Sequence, residues 1–141
     1  MIFLLPSELE KIQLHGSQDY PNECCGFLLG TEADDRRVVK EAWAAPNSHG
    51  ENRRRRYLIT PDDMLAGQKY ATSKGYDILG FYHSHPDHPA RPSQEDLDRA
   101  TLPGWSYIIL SVEHAQPKLI TSWLLAEDRS KFEEEPIEIC Q

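Results

Sequence analysis

The stretch that most constrains this chain ends at Pro86 and reads Asp-Ile-Leu-Gly-Phe-Tyr-His-Ser-His-Pro. Its branched and aromatic residues are typical of a buried strand, and a proline cannot continue a central strand. Because side chains alternate between the two faces of a strand, His83 and His85 are predicted to share one face with Leu79 and Phe81. Two imidazoles that lie about 7 Å apart at the backbone can converge on a single metal ion.

A third ligand is predicted from the segment beyond the following loop. Ser93 comes after a proline and is predicted to be a helix N-cap, which places Asp96 in the first turn of that helix. Two histidines and one carboxylate leave the fourth position of a tetrahedral zinc open, as in catalytic sites. Other interpretations stay open, since Ser-x-x-Asp is an ordinary capping pattern, a His-x-His pair also arises by chance, and His88 is a rival ligand.

The joint pattern resembles the signature of the JAMM metalloproteases, also called MPN+ or JAB domains. That signature is His-Ser/Thr-His-Pro, a seven-residue interval from the second histidine to a serine, then two residues and an aspartate. His83-Ser84-His85-Pro86, Ser93 and Asp96 match it at every position. Upstream, Pro21-Asn22-Glu23-Cys24-Cys25-Gly26 resembles the glutamate-bearing segment of the small, stand-alone bacterial members.

The resemblance implies an α/β (α+β) fold in which a mixed β-sheet is flanked by helices, JAB/MPN-like and comparable to the sheet of cytidine deaminases. It implies one Zn²⁺ per chain, held by His83, His85 and Asp96. It makes Glu23 the general base and then the general acid toward a zinc-activated water, and Ser93 a donor to the oxyanion. From the residues alone, Glu23 is an exposed loop acid and Ser93 is a helix cap.

The activity implied by the resemblance is that of a zinc-dependent peptidase or isopeptidase. Its substrate would be the bond after the C-terminal tail of a ubiquitin-like sulfur-carrier protein. The alternative is a non-catalytic MPN-type binding module for a ubiquitin-like partner, which the intact ligand set disfavours. A second alternative is a nucleoside deaminase. Such an enzyme requires a Pro-Cys-x-x-Cys motif, which the sequence lacks.

Size and charge narrow the function classes further. The 141 residues suffice for one core, so residues 1–141 are predicted to form a single domain. A net charge of −8 disfavours nucleic-acid binding. The apolar run at residues 2–5 is too short for a signal peptide or a membrane span, which predicts a cytoplasmic protein. The oligomeric state is left open, with a homodimer as one alternative.

The remaining elements are predicted from periodicity and from helix-capping and turn residues. Strands are expected at residues 1–5, 25–29, 37–45, 57–59, 105–112, 118–126 and 136–139. Helices are expected at residues 8–18, with Ser7 in a capping box, at 60–74 and at 94–101. Residues 133–135 are expected to be a solvated acidic stretch, and Cys24 and Cys25 to pack as small apolar groups.

Four consecutive arginines at residues 53–56 stand out in a chain with this net charge. The simpler interpretation is a solvated loop, and the other is a patch that meets an acidic partner surface. The loop after the histidine pair contains His88 and Arg91. Each is interpreted either as an exposed side chain or as one that contacts a substrate.

Overall fold

A computed structural model describes residues 1–140 of the chain. Its elements are, in order, β1 (Ile2–Leu4), α1 (Pro6–Asp19), β2 (Cys25–Ala33), β3 (Arg36–Ala45), α2 (Pro61–Lys74), β4 (Asp77–Pro86), α3 (Gln94–Arg99), β5 (Ser106–Glu113), β6 (Gln116–Leu125), β7 (Phe132–Glu135) and β8 (Ile137–Ile139). The eight strands form one sheet in the order β7-β6-β5-β4-β2-β3-β1-β8. Both parallel and antiparallel pairs occur, so the predicted mixed sheet flanked by helices is confirmed.

Helix α1 covers one face of the sheet. Ile12 is fully buried there, in a cluster that includes Leu110 and Val112 of β5. A Cβ atom on Gly16 would lie 2.7 Å from Leu110 Cδ2, so glycine is what lets the helix approach the strand this closely. Full burial of one such aliphatic side chain contributes about 1.5–3 kcal/mol.

Helix α2 covers the opposite face, and both of its predicted ends are confirmed. Thr60 is the N-cap of a capping box: its Oγ1 accepts from the Asp63 N–H, and its own N–H donates to the Asp63 carboxylate. Gly75 ends the helix in the left-handed conformation, with φ at 73°. Ala71 is buried in the cluster beneath this helix, together with Phe27 and Leu29 of β2.

The strand that carries the histidine pair is interrupted by a bulge. The register between β2 and β4 shifts so that Leu28 lies opposite Gly80 and Leu29 opposite Ile78. Leu79 therefore turns to the α1 face, where it joins the first cluster. The prediction that Leu79 shares the face of the histidines is wrong, because a bulge adds one residue and breaks the alternation.

The start of α1 also differs from the prediction. Its N-cap is Leu5, which forms no side-chain capping bond, and Pro6 takes the first helical position. The predicted capping box at Ser7 is wrong, because the Ser7 hydroxyl donates instead to the neighbouring Glu8 carboxylate at 2.7 Å. A proline suits the first helical turn because its missing N–H would have had no partner there.

Two predictions near the sheet edges differ from the structure. Residues 57–59 form no strand but pack over the α2 side of the sheet through Tyr57 and Ile59. Residues 133–135 belong to β7, in which Glu133 and Glu134 are exposed as predicted but Glu135 is only 5% exposed. Its Oε1 accepts hydrogen bonds from the hydroxyls of Ser106 and Ser122, and Arg37 Nη1 lies 3.8 Å from Oε2.

The cysteines pack as predicted. Cys24 and Cys25 are free and fully buried. Burial raises the pKa of the Cys24 thiol to about 12, so this group stays protonated and is a poor nucleophile at neutral pH. Among residues 1–140, no helix is both long enough and apolar enough to cross a membrane.

Candidate functional site

The end of β4 and the start of α3 bring three potential metal ligands together. The Nε2 atoms of His83 and His85 lie 3.0 Å apart. Asp96 Oδ2 lies 3.4 Å from the first of these nitrogens and 3.1 Å from the second. Both histidines are buried, and these three residues form the group in residues 1–140 that is able to hold a metal ion.

The spacing of the three atoms fits a tetrahedral zinc ion. Ligands held about 2.0–2.1 Å from such an ion lie roughly 3.3–3.4 Å from one another, close to the distances observed. His85 Nδ1 is 2.8 Å from the carbonyl oxygen of Pro89, so in the neutral ring the proton lies on Nδ1. The Nε2 lone pair of His85 then faces the Asp96 carboxylate, and the two groups repel each other. A cation between them would be coordinated by both.

The electrostatics of the cluster favour the protonation states that bind a metal. Burial lowers the pKa of His83, which keeps this imidazole neutral. Burial alone would raise the pKa of Asp96, but a protonated imidazole in this pair and the Ser93 N–H hold it well below its ordinary range. A metal ion would take the place of the imidazole proton, and two imidazoles with one ionised carboxylate are the donor set of catalytic zinc sites.

Glu23 lies in the adjoining cleft and is only 2% exposed. Its N–H donates to the carbonyl oxygen of Arg53 at 2.6 Å, and its own carbonyl accepts from Asn47 Nδ2 at 3.0 Å. Its Oε1 is buried and has no hydrogen-bond partner among residues 1–140. Burial and the nearby charge of Asp96 raise its pKa to about 9. The interpretation of Glu23 as an exposed loop acid is therefore wrong.

Ser93 is the N-cap of α3, as predicted. Its Oγ accepts from the Asp96 N–H at 3.0 Å, and its own N–H donates to Asp96 Oδ2 at 2.9 Å. The cap uses the serine oxygen as an acceptor, so the hydroxyl hydrogen remains available to a ligand. The capping pattern and the ligand pattern are thus one arrangement, because the capping bond also orients the carboxylate toward the histidines.

Two further residues support the site, Ser84 and Tyr57, and the sequence indicates the position of only the first. Ser84 points to the opposite face from the ligands, as the alternation of β4 predicts, and its Oγ accepts from the N–H of Cys24 at 2.7 Å. It thereby ties β4 to the residue after Glu23. The ring of Tyr57 stacks on His83 with centroids 4.5 Å apart, and no local pattern indicates this contact.

Two clefts adjoin the cluster, and Arg56 and Glu95 line both of them. The first has a volume of about 240 Å³ and a largely apolar wall, built mainly from Tyr57, Ile59, Met64, Phe81, Leu102 and Tyr107. The second has a volume of about 420 Å³ and contains Glu23, His85 and Ser93 together with basic residues. One side of the site is therefore apolar and the other side is cationic.

The arginine run forms part of the cationic side. Arg56 pairs with Glu95 on α3, and Arg55 Nη1 lies 3.1 Å from His88 Nε2. Residues 53–55 are exposed, as the solvated-loop interpretation predicts, but Arg55 and Arg56 also form contacts at the cleft. His88 contacts this arginine and lies outside the three-residue cluster, so the structure does not place it as a rival ligand.

A mixed sheet with helices on both faces, a His-x-His pair at the end of a central strand and a carboxylate from the next helix define a JAB/MPN-type domain. The chain belongs to the prokaryotic homologs of the JAB domain, and the model of that family matches residues 6–126.

Three similar proteins support this assignment. A desampylase from Haloferax volcanii is 39% identical over 93 residues, which cover 66% of this chain and 65% of the relative, just under two thirds of its length. A CysO-cysteine peptidase from Mycobacterium tuberculosis is 25% identical over 127 residues, 90% of this chain and 83% of the relative. The crystal structure of a JAB1/MPN domain protein from Archaeoglobus fulgidus matches with a TM-score of 0.63 and 25% identity, covering 100% of both chains.

Proposed function

We propose that this chain is a zinc-dependent peptidase that hydrolyses the bond after the C-terminal tail of a ubiquitin-like, sulfur-carrier-type protein. The observation that carries the proposal is the buried group of His83, His85 and Asp96, with the unpartnered carboxyl of Glu23 in the adjoining cleft. The names of two relatives, a desampylase and a CysO-cysteine peptidase, support the cleavage of conjugates of ubiquitin-like proteins.

His83, His85 and Asp96 would hold the zinc, which supplies Lewis-acid activation of water and of the substrate carbonyl. Glu23 takes a proton from the attacking water and delivers it to the leaving nitrogen as the C–N bond breaks. Its raised pKa suits the second task, and a cation nearby would lower that pKa toward the range that the first task needs.

Ser93 contributes to the same reaction through its hydroxyl. The capping bond fixes the oxygen beside Asp96 and leaves the hydroxyl hydrogen to donate to the substrate carbonyl oxygen as negative charge develops there. Donors held in place before the reaction typically contribute about 10²–10³ in rate. The rigidity of the cap is therefore useful to catalysis, because the serine does not need to reorganise.

The apolar cleft provides a place for the tail of the substrate. Its wall combines aromatic and aliphatic side chains, and it meets the catalytic cleft at Arg56 and Glu95. An extended polypeptide lying in this cleft would reach the metal ligands with its last residues. The group beyond the cleaved bond would then enter the cationic cleft, which contains Glu23.

Mass spectrometry of the products tests this proposal. A ubiquitin-like sulfur-carrier protein extended by one residue beyond its tail is incubated with the zinc-loaded chain, and we expect release of the mature tail. Asp96→Asn should be inactive. Asp98→Asn is the matched control, because Asp98 is an exposed acid on the same helix, and its side chain accepts one hydrogen bond within residues 1–140, from Gln94 Nε2 at 2.8 Å.

Four outcomes are decisive. Loss of cleavage in Asp96→Asn but not in Asp98→Asn would support the proposal. Absence of cleavage across several carriers would contradict it, and so would cleavage that survives Asp96→Asn. Tight binding of the carrier without any cleavage would instead identify a non-catalytic binding module.

A further inference from the structure

The cleft that contains Glu23 is unusually basic for a chain with a net charge of −8. Arg55, Arg56 and Arg91 line it together with His88. Its volume of about 420 Å³ lies within the usual range of small-molecule sites, roughly 300–1,000 Å³. The proposed hydrolysis requires only the Glu23 carboxyl and the Ser93 hydroxyl in this cleft, so it gives the basic residues no role.

The basic residues are placed individually rather than as a uniformly charged loop. Within the run of four arginines, Arg55 and Arg56 line the cleft, whereas Arg53 and Arg54 do not. The Arg53 side chain is instead tied back to the carbonyl oxygen of His49 at 2.9 Å. The second half of the run therefore faces the reaction site.

The acids of the cleft are already engaged. Glu95 pairs with Arg56 and also with Arg99, at 2.7 Å. Glu23 is buried, and in the proposed reaction its carboxyl carries the transferred proton. In the described range 1–140, no ion pair involves Arg55 or Arg91. Two guanidinium groups at this cleft are thus available to an anion.

The contact between Arg55 and His88 indicates that one of these groups is held in position. Arg55 Nη1 lies 3.1 Å from His88 Nε2, where the neutral ring accepts the hydrogen bond. A guanidinium presents several N–H donors, so the other donors of Arg55 remain available to a ligand. Arginine forks match a carboxylate with two parallel hydrogen bonds, a geometry that lysine cannot provide.

The chemistry of the leaving group indicates which anion Arg55 and Arg91 would bind. When the bond after a tail is cut, the leaving nitrogen takes its proton from Glu23, so this nitrogen lies in the same cleft. If the leaving group is a single amino acid, its α-carboxylate is attached through one carbon to that nitrogen. If the leaving group is a lysine side chain in another protein, a methylene chain stands there and carries no charge.

We propose that Arg55 and Arg91 form a subsite for the free α-carboxylate of a leaving amino acid, with His88 positioning Arg55. The subsite rests on the proposed function and specifies its substrate class. The chain would release one amino acid from the end of a carrier tail in preference to cutting an isopeptide bond to a lysine. The C–N bond breaks, the nitrogen gains a proton, and the carboxylate stays unchanged on the arginines.

Three matched substrates test the subsite. One is a ubiquitin-like carrier that ends in Gly-Gly followed by a single alanine with a free carboxylate. The second has the same alanine as its carboxamide, and the third joins Gly-Gly to the Nε of a lysine within a peptide. We expect kcat/KM for the free acid to exceed that for the carboxamide and for the isopeptide by about tenfold or more, as a charge-assisted bidentate contact allows.

Arginine variants connect this preference to named residues. Arg55→Gln and Arg91→Gln should lower kcat/KM for the free acid toward the carboxamide value and leave the carboxamide value nearly unchanged. Arg54→Gln is the matched control, because this neighbour is exposed and lies outside the cleft, and it should keep the full preference. Added salt should reduce the preference of the wild type, since Arg55 and Arg91 are exposed to solvent.

The outcomes separate this proposal from the one on which it rests. Equal cleavage of free acid and carboxamide by the wild type would overturn the subsite while leaving the peptidase intact. A loss in Arg91→Gln that is the same for both substrates would also overturn it, because it would indicate a general structural role. Cleavage of none of the three substrates would remove the proposed function and the subsite together.

Discussion

Two polar clusters are buried at opposite ends of the parallel pair β4–β5, and they differ in how their polar atoms are satisfied. At one end, Gly80 pairs with Ser106, and the Glu135 carboxylate is held there by chain groups alone. At the other end, His85 pairs with Ser111, and the three ligands crowd around a common point. Both clusters place charge inside the protein, which is costly unless the charge is paired.

The difference lies in the charges that face the buried carboxylates. Ser106 and Ser122 donate to Glu135 Oε1. Within the described part of the chain, Glu135 Oε2 accepts no hydrogen bond, but two cations lie near it, the Met1 amine at 3.4 Å and Arg37 Nη1 at 3.8 Å. At the ligand end, Glu23 Oε1 is also buried without a hydrogen-bond partner, and among residues 1–140 Glu23 takes part in no ion pair. A buried carboxylate whose charge is balanced by its own chain stabilises the fold, whereas one without such a partner is suited to a ligand.

Removal of the metal should have the largest effect, and only at the ligand end. A chelator should abolish hydrolysis, and added zinc should restore it. Zinc at 1,000 times its dissociation constant should raise the free energy of unfolding by about 4 kcal/mol, which thermal melts with and without zinc would measure. Unchanged activity and an unchanged melt after chelation would break the comparison, because the cluster at the ligand end would then need no ligand.

Glu23→Gln should come next, with opposite effects on activity and stability. We expect kcat to fall by about 10²–10⁴ while zinc content is unchanged. The metal-free variant should be more stable than the wild type near neutral pH by about 1–3 kcal/mol, because a buried ionisable group without a partner is removed. Equilibrium denaturation in chelator measures this, and an exposed acid, Glu133→Gln, provides the matched control.

The stability that the metal-free protein gains from Glu23→Gln should depend on pH in one direction. The folded Glu23 carboxyl keeps its proton up to about pH 9, whereas in the unfolded chain it loses the proton near pH ~4.3. The stability that this proton contributes is therefore complete below about pH 4 and is lost as pH rises toward 9. The difference between wild type and Glu23→Gln should grow from about pH 5 to about pH 8, and a constant difference would contradict the assignment.

Glu135→Ala should affect stability of the fold rather than chemistry. Removal of one partner of a buried ion pair typically costs about 3–5 kcal/mol. Here it would also remove the acceptor of two serine hydroxyls and the charge that faces Arg37. Below the melting temperature, kcat per folded molecule should match the wild type. Loss of turnover in a fully folded Glu135→Ala protein would show that this end of the sheet also serves the reaction.

Ser84→Ala should give the smallest effect, and it tests the link between the two strands at the ligand end. The substitution removes the acceptor of the buried Cys24 N–H, at a cost of about 1–3 kcal/mol. Because this bond positions the residue next to Glu23, we also expect kcat to fall by about tenfold, the lower end of the range for residues that orient a metal site. Ser111→Ala, on the neighbouring strand, is the control for a generic loss of a buried hydroxyl.

The sequence predicts local features well, because they depend on neighbouring residues. The Thr60 cap, the Gly75 end of α2 and the Ser93 cap follow from short-range hydrogen bonds. The shared face of His83 and His85 follows from alternation within a few residues, and the structure brings them to within 3.0 Å of each other.

The missed features depend on distant parts of the chain. Glu135 ends a polar, acidic run, and only the pairing of β7 with β6 and the approach of Arg37 show that this one glutamate is buried. The contact of Tyr57 with His83 spans 26 residues, and Glu23 is buried by the loop that carries Asn47. The bulge at Leu79 depends on the register with β2, which no single strand specifies.

Zinc content measured by mass spectrometry after exhaustive dialysis tests directly whether His83, His85 and Asp96 hold a metal ion. We expect about one zinc per wild-type chain, because the site has three protein ligands. His85→Ala should retain almost none, while His88→Ala, which changes the neighbouring imidazole outside the cluster, should keep the full amount. A wild-type chain without stoichiometric zinc, or a His85→Ala variant that binds it as tightly as His88→Ala does, would contradict the account.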